Sequence, residues 1–373
     1  MNKISFLGCG SWGGALGLVL ANKAMHVTMW HRSPKVVQAL TETRVHYLVS
    51  SLTFPDSVSF TSSIEDAISG ANTVIIAVPS QSVRELLQSS KDFFNSAQTI
   101  VNVSKGIEID TLMTVSEVII DVLGDSFTKV VTLSGPSHAE EVIQGHPTTL
   151  VSASTNSDAA KEVQSIFSNN VLRTYANSDI RGVELGGSMK NVIAIAAGIC
   201  DGIGFGDNTK AALLTRGMAE ISRLGTAMGA DLKTFQGLSG IGDLIVTCLS
   251  QHSRNRKVGQ AIGEGSSLDD ALGDMMMVAE GVKSAKSVHQ LREKFNISMP
   301  ICEAVYQILF EGKDPKLSVT DPLSGGPSKR SHRTLALSSG ICALQRRRLG
   351  LLLPKHGIAE SFCSDAAKAR PST

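Results

Sequence analysis

One lysine stands alone in an apolar stretch of this sequence of 373 residues. Between Leu185 and Cys200, Lys190 is the only residue whose side chain carries a charge at neutral pH. On a helix, Lys190 would share its face with Gly187 and Ala194, which are both small. Because an ammonium group is costly to bury there, we expect a lowered pKa, in the range of a general acid or base. The alternative is a lysine that reaches solvent from a core helix.

Two other segments carry side chains that could work with Lys190. Lys105 follows a predicted strand, where it could anchor an anionic substrate or be an ordinary lysine at a strand end. Asp243 and Thr247 are four residues apart and would therefore share one face of a helix.

A phosphate site is predicted where another helix begins. Ser253 is a candidate N-cap, and Arg254 and Asn255 fall in the first turn that follows it. A guanidinium and an amide would then lie beside backbone N–H groups that have no intrahelical acceptor, which suits a phosphate. Taken alone, such a helix start is unspecific.

A glycine-rich segment follows the first predicted strand and precedes a helix. In this segment Gly8 permits a tight turn, Gly10 lets the backbone approach a pyrophosphate, and Gly13 allows close packing of helix on strand. The helix N-terminus offers free N–H groups to the anion. The pattern predicts a dinucleotide site, and the alternative is a glycine-rich turn without a ligand.

The end of the second predicted strand bears on which dinucleotide is bound. Many NAD sites place a carboxylate there to hold the ribose hydroxyls, whereas this chain has His31 and Arg32. Without that carboxylate a 2′-phosphate is not repelled, and Arg32 could pair with it. Both NAD and NADP are therefore allowed, and the alternative for Arg32 is a solvated loop charge.

The surrounding pattern predicts the elements that hold these residues. Short, nearly continuous apolar runs alternate with helical patterns in the first half, which favours a buried, mostly parallel sheet. Two later strand candidates, Thr149–Ala153 and Val171–Tyr175, would extend that sheet. After about Ser178 the helical period dominates. We therefore expect an α/β protein with a Rossmann-type dinucleotide-binding domain (1–180) followed by a mostly helical substrate domain (181–316). Residues 317–373 lose periodicity and are predicted to be an atypical, disordered tail.

Composition excludes several classes of protein. A net charge of +1 argues against binding of nucleic acid or another polyanion through bulk charge. The six cysteines show no zinc spacing, so no metal site is predicted and a reducing, cytoplasmic location is favoured. No uninterrupted apolar window is long enough to predict a membrane span, and the first residues leave no room for a signal peptide. The oligomeric state is left open, with a homodimer allowed.

Seven motifs together make the chain recognisable. They are Gly8–Gly13 with Ser11-Trp12, Ser104-Lys105-Gly106, Gly135-Pro136-Ser137-His138-Ala139, Gly187-Ser188-Met189-Lys190-Asn191, Asp201-Gly202-Ile203-Gly204-Phe205-Gly206, Gly240-Ile241-Gly242-Asp243-Leu244 and Ser253-Arg254-Asn255-Arg256. In the order and spacing of these motifs, the chain from about residue 1 to 315 resembles the bacterial NAD(P)-dependent glycerol-3-phosphate dehydrogenases. This resemblance is far more specific than the glycine fingerprint alone, and the family pattern ends soon after Pro315.

The resemblance implies the interconversion of sn-glycerol 3-phosphate and dihydroxyacetone phosphate with NAD(P)+ or NAD(P)H, which feeds glycerophospholipid synthesis. It implies that Lys190 transfers the proton and that Lys105 meets both cofactor and substrate. Lys105 and Asp243 would then tune and orient Lys190, with Thr247 in the same hydrogen-bond network. The dinucleotide would be contacted by Ser11, Trp12, His31, Arg32, Ala139, Arg254, Val278 and Glu280. The three-carbon phosphate would be contacted by Gly135, Ser137, Lys190, Asn191, Asp243, Ser253, Arg254 and Asn255.

Two other functions are compatible with parts of the sequence. A β-hydroxyacid dehydrogenase shares the sheet, the helical domain and a lysine on a similar helix, but it needs a carboxylate anchor where this chain has Ser253-Arg254-Asn255. A non-catalytic dinucleotide sensor would leave Lys190 and Asp243 without a function. The glycerol-3-phosphate dehydrogenase interpretation accounts for all of these residues.

The position of Arg32 predicts cofactor choice. Arg32→Ala should weaken NADPH binding more than NADH binding, by about 1–3 kcal/mol for a lost charge-assisted contact. Dissociation constants measured by fluorescence titration with each cofactor test this, with Lys35→Ala as a charge-matched control that should affect both cofactors little. An equal loss for NADH and NADPH would remove Arg32 from the 2′-phosphate.

Overall fold

Eight strands form a single sheet in the computed structural model, which describes residues 3–273 and 279–318. The order across the sheet is β3-β2-β1-β4-β5-β6-β7-β8. The order reverses between β1 and β4, and at such a point the carboxyl ends of parallel strands leave a crevice for a ligand. The strands are β1 Lys3–Leu7, β2 His26–Trp30, β3 Val58–Thr61, β4 Thr73–Ile76, β5 Thr99–Asn102, β6 Val130–Ser134, β7 Thr148–Ala153 and β8 Leu172–Asn177.

The central strands are buried on both faces. Every residue of β4, β5 and β6 is buried, which explains their continuous apolar runs, whereas the edge strands β3 and β8 contain partly and fully exposed residues. Strands β1 to β6 pair in parallel, but β7 pairs antiparallel with β6 and parallel with β8. The last two strands therefore run opposite to the first six.

Helices cover the sheet and then form the second part of the chain. Those in the sheet region are α1 Ser11–Ala21, α2 Pro34–Thr43, α3 Ile64–Ile68, α4 Val83–Ser90, α5 Val115–Leu123, α6 Ala139–Ile143 and α7 Ser157–Phe167. Those that follow are α8 Ile180–Ile203, α9 Asp207–Ala227, α10 Leu232–Phe235, α11 Asp243–Leu249, α12 Arg254–Gly263, α13 Leu268–Gly273, α14 Glu280–Lys294 and α15 Pro300–Phe310. A single π-helical turn, Leu238–Gly242, leads into α11.

Helix α8 is the centre of the helical part. Residues 182–200 are all buried, and α9, α11, α12, α14 and α15 pack around them. Among the described residues, it is the one helix long and apolar enough to cross a membrane by length and composition, but its apolar window is completely buried within the protein. It therefore has the character of a core helix of a globular protein.

Glycines bring α8 and α12 into backbone contact. Gly198 on α8 lies against the carbonyl oxygen of Arg256, and Gly259 on α12 lies against the carbonyl oxygen of Ile195. A Cβ atom at either glycine would lie well inside contact distance of backbone that cannot rotate away. One turn further along each helix, Gly202 lies against the carbonyl oxygen of Gln260, and Gly263 lies against the carbonyl oxygen of Ile199. The spacing of four residues on both helices thus fixes how closely α12 approaches α8.

Most of the predicted elements are confirmed, with two differences. The sequence pattern did not predict β3, an edge strand of four residues that follows a long loop. It did predict that Thr149–Ala153 and Val171–Tyr175 extend the sheet, but it gave no sign that they run in the reverse direction. The chain passes from β6 to β7 through α6, which is only five residues long, and this short connection joins two antiparallel strands.

The domain division stays a prediction. The sheet ends at Asn177 and α8 begins at Ile180, close to the predicted boundary, yet all described residues belong to one compact unit. The predicted tail, 317–373, lies outside the described residues apart from Leu317 and Ser318.

The contact between α8 and α12 predicts a steric effect. Gly259→Ala should lower the free energy of unfolding by about 1–3 kcal/mol, because the new methyl group must push α12 away from the Ile195 carbonyl. Urea unfolding followed by circular dichroism measures this. The control Gly273→Ala places its Cβ at the end of α13, where the structure shows open space, and should not destabilise. Equal stability of both variants would contradict the packing argument.

Candidate active site

A buried carboxylate between two lysines forms the centre of the site. Asp243 is 1% exposed, and its Oδ1 lies 2.7 Å from Lys190 Nζ while its Oδ2 lies 2.8 Å from Lys105 Nζ. Lys190 comes from the middle of α8, Asp243 from the first turn of α11, and Lys105 from the loop after β5. The fold thus joins three separate segments that the sequence analysis had singled out.

Thr247 completes the network around Lys190. Lys190 Nζ donates to Thr247 Oγ1 at 2.5 Å, and Thr247 Oγ1 donates to the backbone carbonyl of Asp243 at 2.6 Å. Asp243 and Thr247 are one helical turn apart on α11, as their spacing predicts. The ammonium group of Lys190 thus contacts the carboxylate of Asp243 and the hydroxyl of Thr247. Lys190 as a whole residue is only 5% exposed.

Burial and charge oppose each other at Lys190. Burial lowers the pKa of Lys190 to about 8; the charge of Asp243 opposes this shift, and the charge of Lys105 adds to it. Burial by itself would raise the pKa of Asp243, but the two ammonium groups outweigh it and leave that pKa below its usual value. Lys190 can therefore change its protonation state near neutral pH while Asp243 stays ionised.

Lys105 also contacts the loop that follows β6. Its Nζ donates to the carbonyl oxygen of Gly135 at 3.1 Å, and Ser137 Oγ donates to the same oxygen at 3.0 Å. Gly135 has a φ of +148°, and a Cβ there would meet the backbone of Thr149 and Leu150, so the turn requires glycine. The loop thus lies beside the lysine pair, where Gly135 and Ser137 are predicted to meet substrate.

The predicted phosphate site forms the start of α12. Ser253 Oγ accepts a hydrogen bond from Arg256 N, so Ser253 is the predicted N-cap, and Asn255 Oδ1 accepts one from Gly281 N at 2.8 Å. Burial lowers the pKa of Arg254, and the charges of Glu140 and Glu280 oppose this. Asn191 is buried beside Lys190 on α8, and its backbone oxygen is close to Gly281.

Helix α1 offers a place for a pyrophosphate. Gly8 has a φ of +119° and touches Ala77, and Gly13 packs on the Gly8 carbonyl, so neither position has room for a side chain. Gly10 precedes the helix, and a Cβ there would meet no atom within 4 Å. The first turn carries no acidic residue and no side-chain cap, which leaves the N–H groups of the helix start for an anion.

Ser11 and Trp12 begin α1. Ser11 is buried, and the indole Nε1 of Trp12 is shielded from solvent without a hydrogen-bond partner among the described residues. An unpaired buried N–H is costly and is often satisfied by a ligand. These observations fit a bound dinucleotide, for which the predicted contacts remain predictions.

The other predicted cofactor residues lie around the carboxyl edge of the sheet. At the end of β2, His31 Nδ1 accepts from Ser33 N, and burial lowers the pKa of His31, so the ring is neutral near pH 7. Arg32 is exposed, and Ala139 is the buried first residue of α6. Val278 lies outside the described residues.

Glu280 joins α14 to the sheet. Its carboxylate accepts hydrogen bonds from both Ser80 N, at 3.1 Å, and Ser80 Oγ, at 2.7 Å. Ser80 begins the short turn after β4, next to the crevice where the order of the strands reverses. The predicted cofactor residue therefore also links the two parts of the protein.

Sequence reasoning assigned no role to several residues that border the site. The ring of His138 lies near both lysines, and burial, followed by the charge of Lys190, lowers the pKa of His138. Asp201 on α8 pairs with Lys210 and with Arg256, at 2.5 and 2.6 Å, beside the predicted phosphate site. Both His138 and Asp201 fall within recognised motifs, but only the folded chain brings them to the site.

Comparison with known proteins places these motifs in one family. The sequence model described as the N-terminus of NAD-dependent glycerol-3-phosphate dehydrogenase matches residues 3–160, and the model of the C-terminus matches residues 179–320.

Individual relatives agree along nearly their whole length. A glycerol-3-phosphate dehydrogenase (NAD(P)+) of Prosthecochloris aestuarii is 51% identical over 327 residues, which are 87% of this chain and 98% of that protein. One from Bacillus pumilus is 49% identical over 84% of this chain and 91% of that protein. A crystal structure of glycerol-3-phosphate dehydrogenase from Coxiella burnetii superimposes with a TM-score of 0.83, at 36% identity, over 87% of this chain and 99% of that one. The chain belongs to the NAD-dependent glycerol-3-phosphate dehydrogenase family.

Proposed function

We propose that this protein interconverts sn-glycerol 3-phosphate and dihydroxyacetone phosphate with NAD(P)+ or NAD(P)H. The observation that carries the proposal is the buried arrangement of Lys190, Asp243 and Lys105, which holds a titratable amine at the end of a dinucleotide-binding sheet. Membership of the family supports the same reaction. The product would supply glycerophospholipid synthesis.

The nicotinamide group of the cofactor supplies the hydride acceptor or donor when it is bound. The residues of the chain hold it and the substrate in place. We assign the pyrophosphate to Gly8, Gly10, Gly13 and the start of α1, because its N–H groups are free of caps and carboxylates. Trp12 is assigned to the same ligand on the evidence of its unpaired Nε1.

Lys190 moves the proton in this proposal. In oxidation the neutral amine takes the proton of the C2 hydroxyl as the hydride leaves C2, and in reduction the ammonium returns a proton to the carbonyl oxygen. Asp243 stabilises the ammonium that forms in oxidation, and Thr247 orients Nζ. Lys105 limits that stabilisation by sharing the same carboxylate. Asp243 and Lys105 together with burial thus keep the pKa of the Lys190 amine near the pH at which it must gain and lose a proton.

Arg254 is assigned to the phosphate of the substrate. Its guanidinium is half-buried at the start of α12 beside backbone N–H groups, and with Asn255 it would hold the phosphate away from the reacting carbon. Binding energy at the phosphate then fixes the position of C2 relative to Lys190. Ser253 holds the helix start by capping it.

A direct assay tests the function. Oxidation of NADH and of NADPH is followed at 340 nm with dihydroxyacetone phosphate, and separately with dihydroxyacetone or a β-ketoacid as substrate. Turnover that requires the phosphorylated substrate supports the proposal. Turnover of the β-ketoacid alone would favour the rival dehydrogenase, and dinucleotide binding without turnover would favour a sensor.

Location and assembly follow as separate proposals. We assign the protein to the cytoplasm, since its one long apolar helix among the described residues is buried and its described cysteines are free. A homodimer stays allowed, and sedimentation velocity measures the oligomeric state.

Removal of the lysine amine should abolish most of the activity. Lys190→Met should lower kcat in both directions by about 10²–10⁴, the usual contribution of a general acid or base, and leave dinucleotide affinity nearly unchanged. Steady-state kinetics and NADH titration measure the two effects. A variant that binds NADH normally and turns over at nearly the wild-type rate would contradict the assignment.

The lowered pKa of Lys190 predicts opposite pH profiles for the two directions. Because oxidation needs the neutral amine, its kcat should fall as the pH drops below about 8, and because reduction needs the ammonium, its kcat should fall above about pH 8. Rates in both directions, measured from about pH 6 to about pH 10, test this, because the range extends about two units to either side of the pKa. Profiles that bend in the same direction would assign the proton to another group.

Loss of the guanidinium should affect only phosphorylated substrate. Arg254→Ala should raise the KM for dihydroxyacetone phosphate by about tenfold or more, as expected for a lost charge-assisted contact of about 1.5–3 kcal/mol, and change the weak turnover of dihydroxyacetone little. Lys257→Ala on the exposed face of the same helix removes an equal charge and serves as the control. If both substrates suffer alike, Arg254 serves the fold or the cofactor.

A further inference from the structure

A second buried carboxylate lies on α8, six residues before Lys190, and the proposed reaction does not use it. Glu184 is 5% exposed, and burial raises its pKa although its hydrogen bonds oppose this. Its Oε1 accepts from Ser116 N at 2.9 Å and from Thr132 Oγ1 at 2.9 Å, and its Oε2 accepts from Ser116 Oγ at 2.5 Å. All of these donors are neutral and lie on α5 and β6.

A further donor to Glu184 is the side-chain amide of Asn102, the last residue of β5. Asn102 Nδ2 donates to Glu184 Oε1 at 3.1 Å. Since Oε1 acts as an acceptor, the NH₂ end of the amide must face it, which turns Asn102 Oδ1 the other way. The carboxylate of Glu184 therefore fixes the orientation of the Asn102 amide, with Oδ1 on the side of Ser104 N.

The fixed amide holds the backbone of Ser104. Asn102 Oδ1 accepts from Ser104 N at 2.8 Å, and Asn102 Nδ2 donates to Ser104 O at 3.1 Å. Ser104 Oγ in turn donates to Val78 O at 2.5 Å. If the amide were flipped, Asn102 Nδ2 would face Ser104 N and Asn102 Oδ1 would face Ser104 O, and both hydrogen bonds would be lost. Both backbone groups of the residue before Lys105 are thus set by one side chain.

The backbone of Ser104 determines the direction in which the side chain of Lys105 leaves the loop. Its Nζ must reach both Asp243 and the Gly135 carbonyl, at 2.8 and 3.1 Å, from a loop that has left the strand. Glu184 and Lys190 belong to the same buried helix, so a link from Glu184 to the loop also sets the distance between the two lysines.

We propose that Asn102, oriented by Glu184, is a positioning residue that acts through Lys105 on the proton-transferring lysine. It keeps Ser104 in the conformation that places Lys105 on Asp243, so that Asp243 is shared by both ammonium groups. This inference rests on the proposed function, because it concerns the same reaction.

Displacement of Lys105 has a predictable sign. The charged and titratable groups around Lys190 are Asp243 and Cys248 on α11, Lys105 after β5 and His138 before α6. Lys105 lowers the pKa of Lys190 and occupies one oxygen of Asp243. If Lys105 moves away, Asp243 interacts more fully with Lys190, so the pH midpoint of glycerol 3-phosphate oxidation should move upward.

The test is a double-mutant cycle between Asn102→Ala and Lys105→Met, with kcat, the NADH dissociation constant and the pH midpoint measured for each protein. Asn102→Ala should lower kcat about tenfold and raise the pH midpoint, and it should change NADH affinity no more than Lys105→Met does. In the Lys105→Met background the same change should lower kcat less than about twofold, because the residue through which it acts is gone. Asn102→Leu, which preserves volume, replaces the alanine variant if that variant folds poorly.

Ser116→Ala is the matched control. It removes a hydrogen bond from the other oxygen of Glu184 and leaves the Asn102 contact in place, so it should lower Tm without changing kcat or the pH midpoint. Equal loss of kcat in Ser116→Ala and Asn102→Ala, or full additivity with Lys105→Met, would overturn the inference while wild-type turnover upholds the proposed function. Absence of wild-type turnover on dihydroxyacetone phosphate would overturn both.

Discussion

The structure depends on one carboxylate shared by two ammonium groups. Asp243 is almost completely buried, and its two oxygens face Lys190 and Lys105 from different sides. Burial lowers the pKa of Lys190 to about 8, the charge of Asp243 opposes this shift, and the charge of Lys105 adds to it. The fold must therefore hold three segments in register, because small changes in these distances alter the proton affinity.

That requirement explains the packing around α8. Backbone-to-backbone contact with α12, through glycines on both helices, sets the distance between Lys190 and the residues predicted to hold phosphate. On the other side, the hydrogen bonds of Glu184 to Asn102 and Thr132 set the distance between α8 and the strands β5 and β6. The helix is thus fixed by geometry on both sides, and the reacting lysine lies between the two sets of contacts.

Much of this arrangement could be predicted from the sequence, because it depends on local patterns. The buried strands, the glycine turn before α1, the isolated Lys190, the spacing of Asp243 and Thr247 and the Ser253 cap all have signatures within a few residues. The reversal of β7 and the link from Asn102 to Glu184 depend on residues far apart in the chain, such as the 82 positions that separate Asn102 from its partner. One cue was available, since Glu184 is a carboxylate at the edge of an apolar run.

The burial of α8 also has a consequence for the order in which the chain can fold. The helix resembles a membrane segment in length and hydropathy, and α9, α11, α12, α14 and α15, which pack around it, all follow it in the sequence. During synthesis, α8 therefore leaves the ribosome well before the chain that covers it, whereas the strands of the sheet already have their neighbours. Until the helices from α9 to α15 have emerged, the nascent chain exposes a long apolar helix, and during this interval it is open to aggregation.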